Sequence, residues 1–324
     1  MNDRAVSLLD QYELEVTHTR KGRGAILCET DRGLLIFKEY AGDPEHLKYQ
    51  DEFLKLIFET GQVAAERLIS TKEGEFYVRD GDGTCYLLKT YLDGRECNIR
   101  EKEECLMAVN LLARLHVCAV DGAAWSDLPA YSMAREYAKR NRELKKIRKF
   151  LKGRGQKTWF ELSLQGCFDA FYEQAVEAQE GWESYRQNFA GDLISSFCHG
   201  DYQYHNILMD SKGMFLINFE RCIKDDPVRD LHLLLRKLLE KSDWSISLGE
   251  ELLREYEKIR PLPIVSKIDL HYRLAYPEKF WKIANFYYNS GKAWIPGRNL
   301  EKLEKLIAQE EKKKAFLEST LWLS

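Results

Sequence analysis

The sequence predicts an α+β protein: a small β-rich N-lobe over residues 1–92 and a larger helical C-lobe over residues 93–324. Three observations predict it. Two apolar, β-type runs, Gly24–Thr30 and Gly33–Tyr40, flank Asp31-Arg32 in the pattern of an antiparallel hairpin. A third such run, Tyr86–Leu92, stops at the Asp93-Gly94 breaker. Beyond it, apolar residues recur at helical rather than two-residue spacing.

Taken in order, Asp43-Pro44 offers a helix start, with an N-cap acid and Pro at the first helical position. Leu47, Phe53, Leu54, Ile57 and Phe58 then follow at helical spacing as far as Gly61. Phe76–Val78 and the turn Gly81-Asp82-Gly83 lead into the third strand. Glu101–Val120 reads as an amphipathic helix with Leu106, Val109, Leu112 and Leu115 on one face. Further helices are expected over 131–151, 168–187, 231–241, 248–259 and 300–317. There is no internal repeat and no low-complexity linker.

With 44% hydrophobic and 31% charged residues, the chain has the composition of a globular protein with an ample core. A net charge of −3 argues against general nucleic-acid binding. The eight cysteines form no C-x-x-C pair, which speaks against zinc and for reduced thiols. Residues 1–16 lack the apolar region of a secretory signal. No run of about 18 apolar residues is present, so no membrane span is expected. These features predict a protein made and kept inside a cell.

The most informative stretch is Phe197–Glu220, FCHGDYQYHNILMDSKGMFLINFE. His199, Asp201 and Asn206 give H-x-D-x4-N. Ile207–Met209 and Met214–Ile217 flank Ser211-Lys212-Gly213 as a short hairpin, which returns Asn218-Phe219-Glu220 beside Asn206. Phosphoryl transfer needs that arrangement. A carboxylate must orient the attacking hydroxyl and accept its proton, and oxygen ligands must hold Mg²⁺ against a triphosphate. Asp201 suits the first role and Asn206 the second.

This loop resembles the catalytic loop shared by protein kinases and aminoglycoside/choline-type phosphotransferases. The downstream D-P-x-x-D-L of Asp226, Pro227, Asp230 and Leu231 fits the second group better, as does Leu112-Ala113-Arg114-Leu115-His116. More closely, the chain resembles the CotS family of spore coat proteins from spore-forming Firmicutes. The resemblance is carried by Lys21–Thr30 (KGRGAILCET), Leu92–Cys97 (LDGREC), HGDYQYHNIL, Arg236–Trp244 (RKLLEKSDW) and Phe280–Pro296 (FWKIANFYYNSGKAWIP). It implies a protein-kinase-like two-lobed fold, synthesis in the cytoplasm of a spore-forming bacterium, residence in the spore coat and spore coat proteins as partners. It implies a degenerate or atypical phosphotransferase serving as a coat component. The alternative is an active ATP- and Mg²⁺-dependent phosphotransferase acting on a small-molecule or protein hydroxyl.

The resemblance also distributes roles. Asp201 and Asn206 would be catalytic, with His199 structural. Asn206, Asn218 and Glu220 would face the metal, and Asp225 or Asp226 would be further carboxylates within reach. Asn218 departs from the pattern, since active kinase-like enzymes carry Asp there. An amide removes a full negative charge beside Mg²⁺. Lys38 would grip the nucleotide phosphates, paired to Glu52, or secondarily Glu45, on the next helix; a solvated strand-end lysine is the plainer alternative. Gly22 and Gly24 would form a phosphate-covering loop or a plain turn. Leu88–Leu92 would form the hinge that meets an adenine. Asp230 would accept backbone N–H bonds or cap a helix.

Two features stand outside these roles. Residues 135–157 hold eleven Lys or Arg against two Glu, either a solvated helical face or a dock for an acidic partner. Trp281, Phe286, Tyr287, Tyr288 and Trp294 read as core packing of the C-terminal helices, with a partner groove as the alternative.

Overall fold

The computed structural model describes residues 3–22, 24–119, 130–188, 195–289 and 296–319. Contacts divide the chain into two compact units, residues 1–129 with 196–224 and residues 130–195 with 225–324.

The first unit is built on an antiparallel sheet. β1 (Val16–Gly22), β2 (Ala25–Thr30) and β3 (Gly33–Glu39) form a meander. The predicted hairpin is β2–β3, with Cys28 opposite Leu35 and Ala25 opposite Lys38. β1 is not apparent in the sequence. It is an edge strand of Thr, His, Arg and Lys with no buried residue, so it carries no alternating apolar signal. After α1 (His46–Thr60) come the short strands β4 (Ala64–Ala65), β5 (Leu68–Ile69) and β6 (Val78–Arg79), then β7 (Cys85–Thr90) against β3. The helix starts later than expected, at His46 with Glu45 at the N-cap; Asp43 lies in the turn before it, its carboxylate accepting the Glu45 N–H at 3.1 Å.

Strand alternation gives this sheet two distinct faces. Ile26, Cys28, Leu35, Phe37, Tyr86 and Leu88 form one, packed with Leu9 and Tyr12 of an N-terminal 3-10 helix, Asp3–Gln11, and its exit. Lys38 pairs with Leu87 and Ile36 with Lys89, so both lysines lie diagonally adjacent on the other face.

β8 (Arg95–Glu96) and α2 (Lys102–Cys118) follow. α2 ends at Cys118; the predicted terminus at Val120 lies outside the described residues. The second segment of this unit contains β9 (Ser196–Cys198) and the predicted hairpin, β10 (Ile207–Asp210) and β11 (Gly213–Leu216). Ile207 pairs with Leu216 and Asp210 with Gly213. β4 joins β11 in parallel and β8 joins β10, which ties the hairpin to the N-terminal segment. Phe53 of α1 packs on Phe197 and Phe219, with ring centroids 4.0 and 6.1 Å apart. β12 (Ile223–Asp225) pairs with β9.

The second unit is helical: α3 (Met133–Gly153), α4 (Trp159–Asn188), α5 (Val228–Lys241), α6 (Ile246–Glu257), α7 (Ile264–Ala275), α8 (Glu278–Asn289), α9 (Pro296–Ala308) and α10 (Glu310–Leu317). Its core joins Tyr137 to Tyr276 and Phe171 to Phe280 as stacked rings, 4.0 and 4.5 Å between centroids. Two expectations are corrected, and two helices are added. α4 begins at Trp159 rather than Phe168, because Thr158 and Glu161 form a capping box: Thr158 Oγ1 accepts the Glu161 N–H at 3.2 Å, and Glu161 Oε2 accepts the Thr158 N–H at 2.8 Å. The single expected helix 300–317 is two, divided at Gln309. Residues 260–290, where no helix boundaries were assigned, hold α7 and α8, separated by Pro277.

Trp281, Tyr287 and Tyr288 pack partly buried against this core, while Phe286 lines a cavity of about 300 Å³ with Arg236 and Lys282; Trp294 lies outside the described residues. The basic segment forms α3 and its exit. Met133, Tyr137, Asn141, Leu144, Ile147 and Leu151 face inward, and Arg135, Lys139, Arg142, Lys146 and Lys149 are exposed.

Candidate functional site

The loop after β9 is held by its own backbone geometry. Gly200 has φ +77°, and a Cβ there would lie 1.9 Å from the Arg221 carbonyl oxygen, so only glycine fits. The buried His199 ring bridges two chain segments: Nε2 meets the Ile217 carbonyl at 3.0 Å, and Nδ1 accepts the Asp201 N–H at 3.2 Å. Those partners match the neutral ring with its proton on Nε2. His199 is thus structural, as its position in the motif suggested. Tyr202 anchors the loop by donating its hydroxyl to the Ala108 carbonyl at 2.8 Å.

The hairpin brings the two asparagines together. Asn218 Nδ2 donates to Asn206 Oδ1 at 2.9 Å, and Asn206 Nδ2 donates to the Asp201 carbonyl at 2.8 Å. Asn218 sits in the left-handed region, φ +66°, which Asn tolerates better than most residues. The Asp201 carboxylate is partly open, 19% exposed, and is met by the Gln203 amide and, at 3.8 Å, by the exposed Arg221 guanidinium.

A buried ion network lies beside the asparagines. Lys89 Nζ is 2.7 Å from Glu220 Oε1, 2.8 Å from Glu66 Oε2 and 2.9 Å from Asn218 Oδ1. The contacts to Glu220 and Asn218 are hydrogen bonds; Glu66 Oε2 meets the ammonium as an ion pair, without hydrogen-bond geometry. Lys38 Nζ reaches the same Glu220 Oε1 at 2.9 Å. Glu66 also accepts the Phe219 N–H at 3.2 Å through Oε1. Burial works to discharge Lys89, but the Glu66 and Glu220 charges outweigh it and hold the ammonium above its ordinary range. Burial likewise opposes ionisation of Glu220, yet Lys89 and then Lys38 pull its carboxyl down to about 2. Two lysines and two glutamates balance.

One expected pairing changes, and the remaining expected residues take the following places. The acid beside Lys38 is Glu220, not Glu52. Glu52 is exposed on the outer face of α1, whose Gln50, Asp51, Phe53 and Leu54 point inward, and Glu45 is bound to Lys48 at 3.1 Å. Gly22 and Gly24 belong to the β1–β2 hairpin, with Gly22 paired to Ala25 and Gly24 at φ +73°. Leu88–Thr90 is the end of β7. Asp225 is bound by Arg273 at 3.0 Å and Arg229 at 3.4 Å, Asp226 accepts the Ser266 hydroxyl at 3.0 Å, and Asp230 is buried on α5.

Lys89 and Glu66 escaped the sequence reading. The available signal was Lys89 itself, a charge inside the otherwise apolar, buried run of β7.

As placed, these oxygens meet protein donors rather than a cation. The Asn206 amide oxygen is taken by Asn218, and Asn218 Oδ1 and Glu220 Oε1 by an ammonium at hydrogen-bond rather than metal-ligand distances. Among the described residues, no group of three or more His, Cys, Asp or Glu is placed to hold a metal. The site can order its own loop and neutralise its own charge.

The phosphotransferase enzyme family matches residues 24–263. Spore coat protein S of Bacillus subtilis (strain 168) is 23% identical over 96% of this chain and 92% of its own length. The crystal structure of an aminoglycoside phosphotransferase from Alicyclobacillus acidocaldarius superposes with a TM-score of 0.79 at 22% identity, covering 98% of this chain and 94% of that one. Spectinomycin phosphotransferase, solved with ADP and spectinomycin, superposes at 0.65 with 12% identity, covering 95% and 97%. The fold is therefore α+β and protein-kinase-like.

Proposed function

We propose, for a chain that belongs to the phosphotransferase enzyme family, that it is a spore-coat-associated protein whose catalytic-type loop serves architecture rather than ATP- and Mg²⁺-dependent turnover. The observation that carries this reading is the Lys89 ammonium bound to Asn218 Oδ1 and Glu220 Oε1. Asn218 already lacks the charge that a hard dication prefers. A unit charge about 4 Å from another is repelled by roughly 4 kcal/mol at an effective dielectric near 20, and a dication by about twice that. Magnesium would have to displace an ammonium hydrogen-bonded to Asn218 and Glu220 and ion-paired with Glu66. The likeness to spore coat protein S supports coat residence and coat proteins as partners.

A second reading, an active phosphotransferase using ATP and Mg²⁺ on a hydroxyl acceptor, is favoured by Asp201. Its carboxylate keeps partial exposure and its carbonyl keeps the Asn206 bond. Under that reading Lys38, Gly22 and Gly24 would meet the nucleotide.

Melting curves with ATP, with and without Mg²⁺, on wild type and Asn218→Asp separate the two, since a ligand selective for the native state must raise the melting point. The first reading expects no Mg²⁺-dependent ATP shift and no ATP turnover in the wild type. A magnesium-dependent shift accompanied by phosphate release would replace it with the second.

A further inference from the structure

We propose that Lys89 is a built-in replacement for a divalent cation, and that Glu66, Asn218 and Glu220 form a masked metal site which opens when its charge is removed. The inference rests on the reading that the native site does not take magnesium. Its support is geometric. The ammonium is buried, 3% exposed, and its nitrogen stands 2.7, 2.8 and 2.9 Å from two carboxylates and one amide oxygen. Oxygens of that kind are the ligands hard dications prefer. They come from two distant parts of the chain: Glu66 from the link after β4, and Asn218 with Glu220 from the turn that leaves the hairpin. Such convergence would cost buried-charge energy without a cation at its centre.

The charge count makes the same point. With Lys89 present, Lys38 and Lys89 balance Glu66 and Glu220. Without it, the two carboxylates face Lys38 alone and the cluster carries a net negative charge. Lys38 is 28% exposed and bonds only Glu220 Oε1 among these oxygens, so it can turn toward solvent and leave Glu220 to a metal. Asn218 Oδ1 loses its ammonium donor at the same time.

The test is a Mn²⁺ titration of full-length protein, reading free Mn²⁺ by electron paramagnetic resonance, alongside melting curves with Mn²⁺ and Mg²⁺. Lys89→Ala is expected to bind one Mn²⁺ per chain at least tenfold more tightly than wild type, and to gain thermal stability with either metal. Lys89→Arg keeps the charge and is expected to behave as wild type. Asn218→Asp with Lys89 intact is expected to gain less Mn²⁺ affinity than Lys89→Ala. Where Lys89→Ala does not fold, Lys89→Gln is read in the same titration. A folded Lys89 variant without Mn²⁺ affinity overturns the masked site, yet leaves a turnover-free wild type intact. Stoichiometric Mn²⁺ binding by wild type that is lost on Asn218→Ala overturns the replacement itself. Turnover by wild type, with the Lys89 variants still gaining Mn²⁺, would instead remove only the earlier reading.

Discussion

Lys38 and Lys89 share a single oxygen, Glu220 Oε1, at 2.9 and 2.7 Å. The two ammonium groups differ in what else holds them. Lys89 also bonds Glu66 and Asn218 and is almost fully buried, whereas Lys38 is 28% exposed.

That difference ranks two substitutions. Glu220→Gln leaves Lys89 buried with one acid and deprives Lys38 of its partner, and stranding a buried charge costs on the order of 3–5 kcal/mol. Lys38→Met removes a partly hydrated ammonium and leaves Glu220 paired to Lys89, so its cost is about 1 kcal/mol or less. Urea unfolding followed by fluorescence measures both. Equal midpoints would show that the network does not act as a unit.

Gly200→Ala meets two penalties. Its φ of +77° disfavours any side chain, and its Cβ would press 1.9 Å from the Arg221 carbonyl oxygen. Gly33 has φ +95° with open space around a Cβ, so Gly33→Ala meets only the first. The left-handed conformation costs about 1 kcal/mol, and steric overpacking adds roughly 1–3 kcal/mol. Gly200→Ala should therefore lose about 2–4 kcal/mol and Gly33→Ala about 1 kcal/mol in denaturant unfolding. Indistinguishable variants would mean that the 200–221 contact relaxes freely.

The hairpin and the 206–218 contact were legible because they are local. Turn residues at 211–213 fix the register, and Asn218 Nδ2 lands 2.9 Å from Asn206 Oδ1 across a few paired residues. The ion network was not legible. Lys89 meets Asn218 and Glu220 across 129 and 131 residues of sequence, and Glu66 meets the Phe219 N–H across 153. Only the β3–β7 register, which sets Lys38 and Lys89 on one face, makes those partners visible. Glu52 is expected beside Lys38 from its place on the next helix, but it lies on the outer face of α1. The capping box that starts α4 was readable as Thr158-x-x-Glu161, and the basic run before it obscured the boundary.

In the helical unit, burial and then the charge of Asp269 raise the Asp226 carboxyl to about 6. For an acid whose pKa rises on folding, the folded state holds the proton where the unfolded state has released it. Stability from this group is full below about pH 4, declines as pH climbs toward 6, and stays reduced above that. The reduction is at most roughly 3 kcal/mol at neutral pH. An amide at this position would keep an oxygen for the Val228 N–H, which Asp226 Oδ1 accepts at 3.0 Å. Asp226→Asn should thus be more stable than wild type at about pH 7.5 and equal to it near pH 4. Chemical denaturation at the two pH values checks this, and a difference that does not change with pH would refute it.

Asn218 combines a polar role with a backbone one, and two substitutions separate them. Its φ of +66° is costly for alanine by about 1 kcal/mol and free for glycine. Its side chain accepts from Lys89 and donates to Asn206, and both variants lose these bonds equally. Asn218→Ala and Asn218→Gly should both be destabilised, because Lys89 loses an acceptor, at roughly 1–3 kcal/mol for an unmet buried donor. The alanine variant should be the worse by about 1 kcal/mol, although glycine ordinarily costs more through its unfolded-state freedom. Paired urea titrations give that difference directly. If glycine is the worse, the left-handed turn is not imposed by its surroundings, and the bond between the two asparagines must come from side-chain attraction alone.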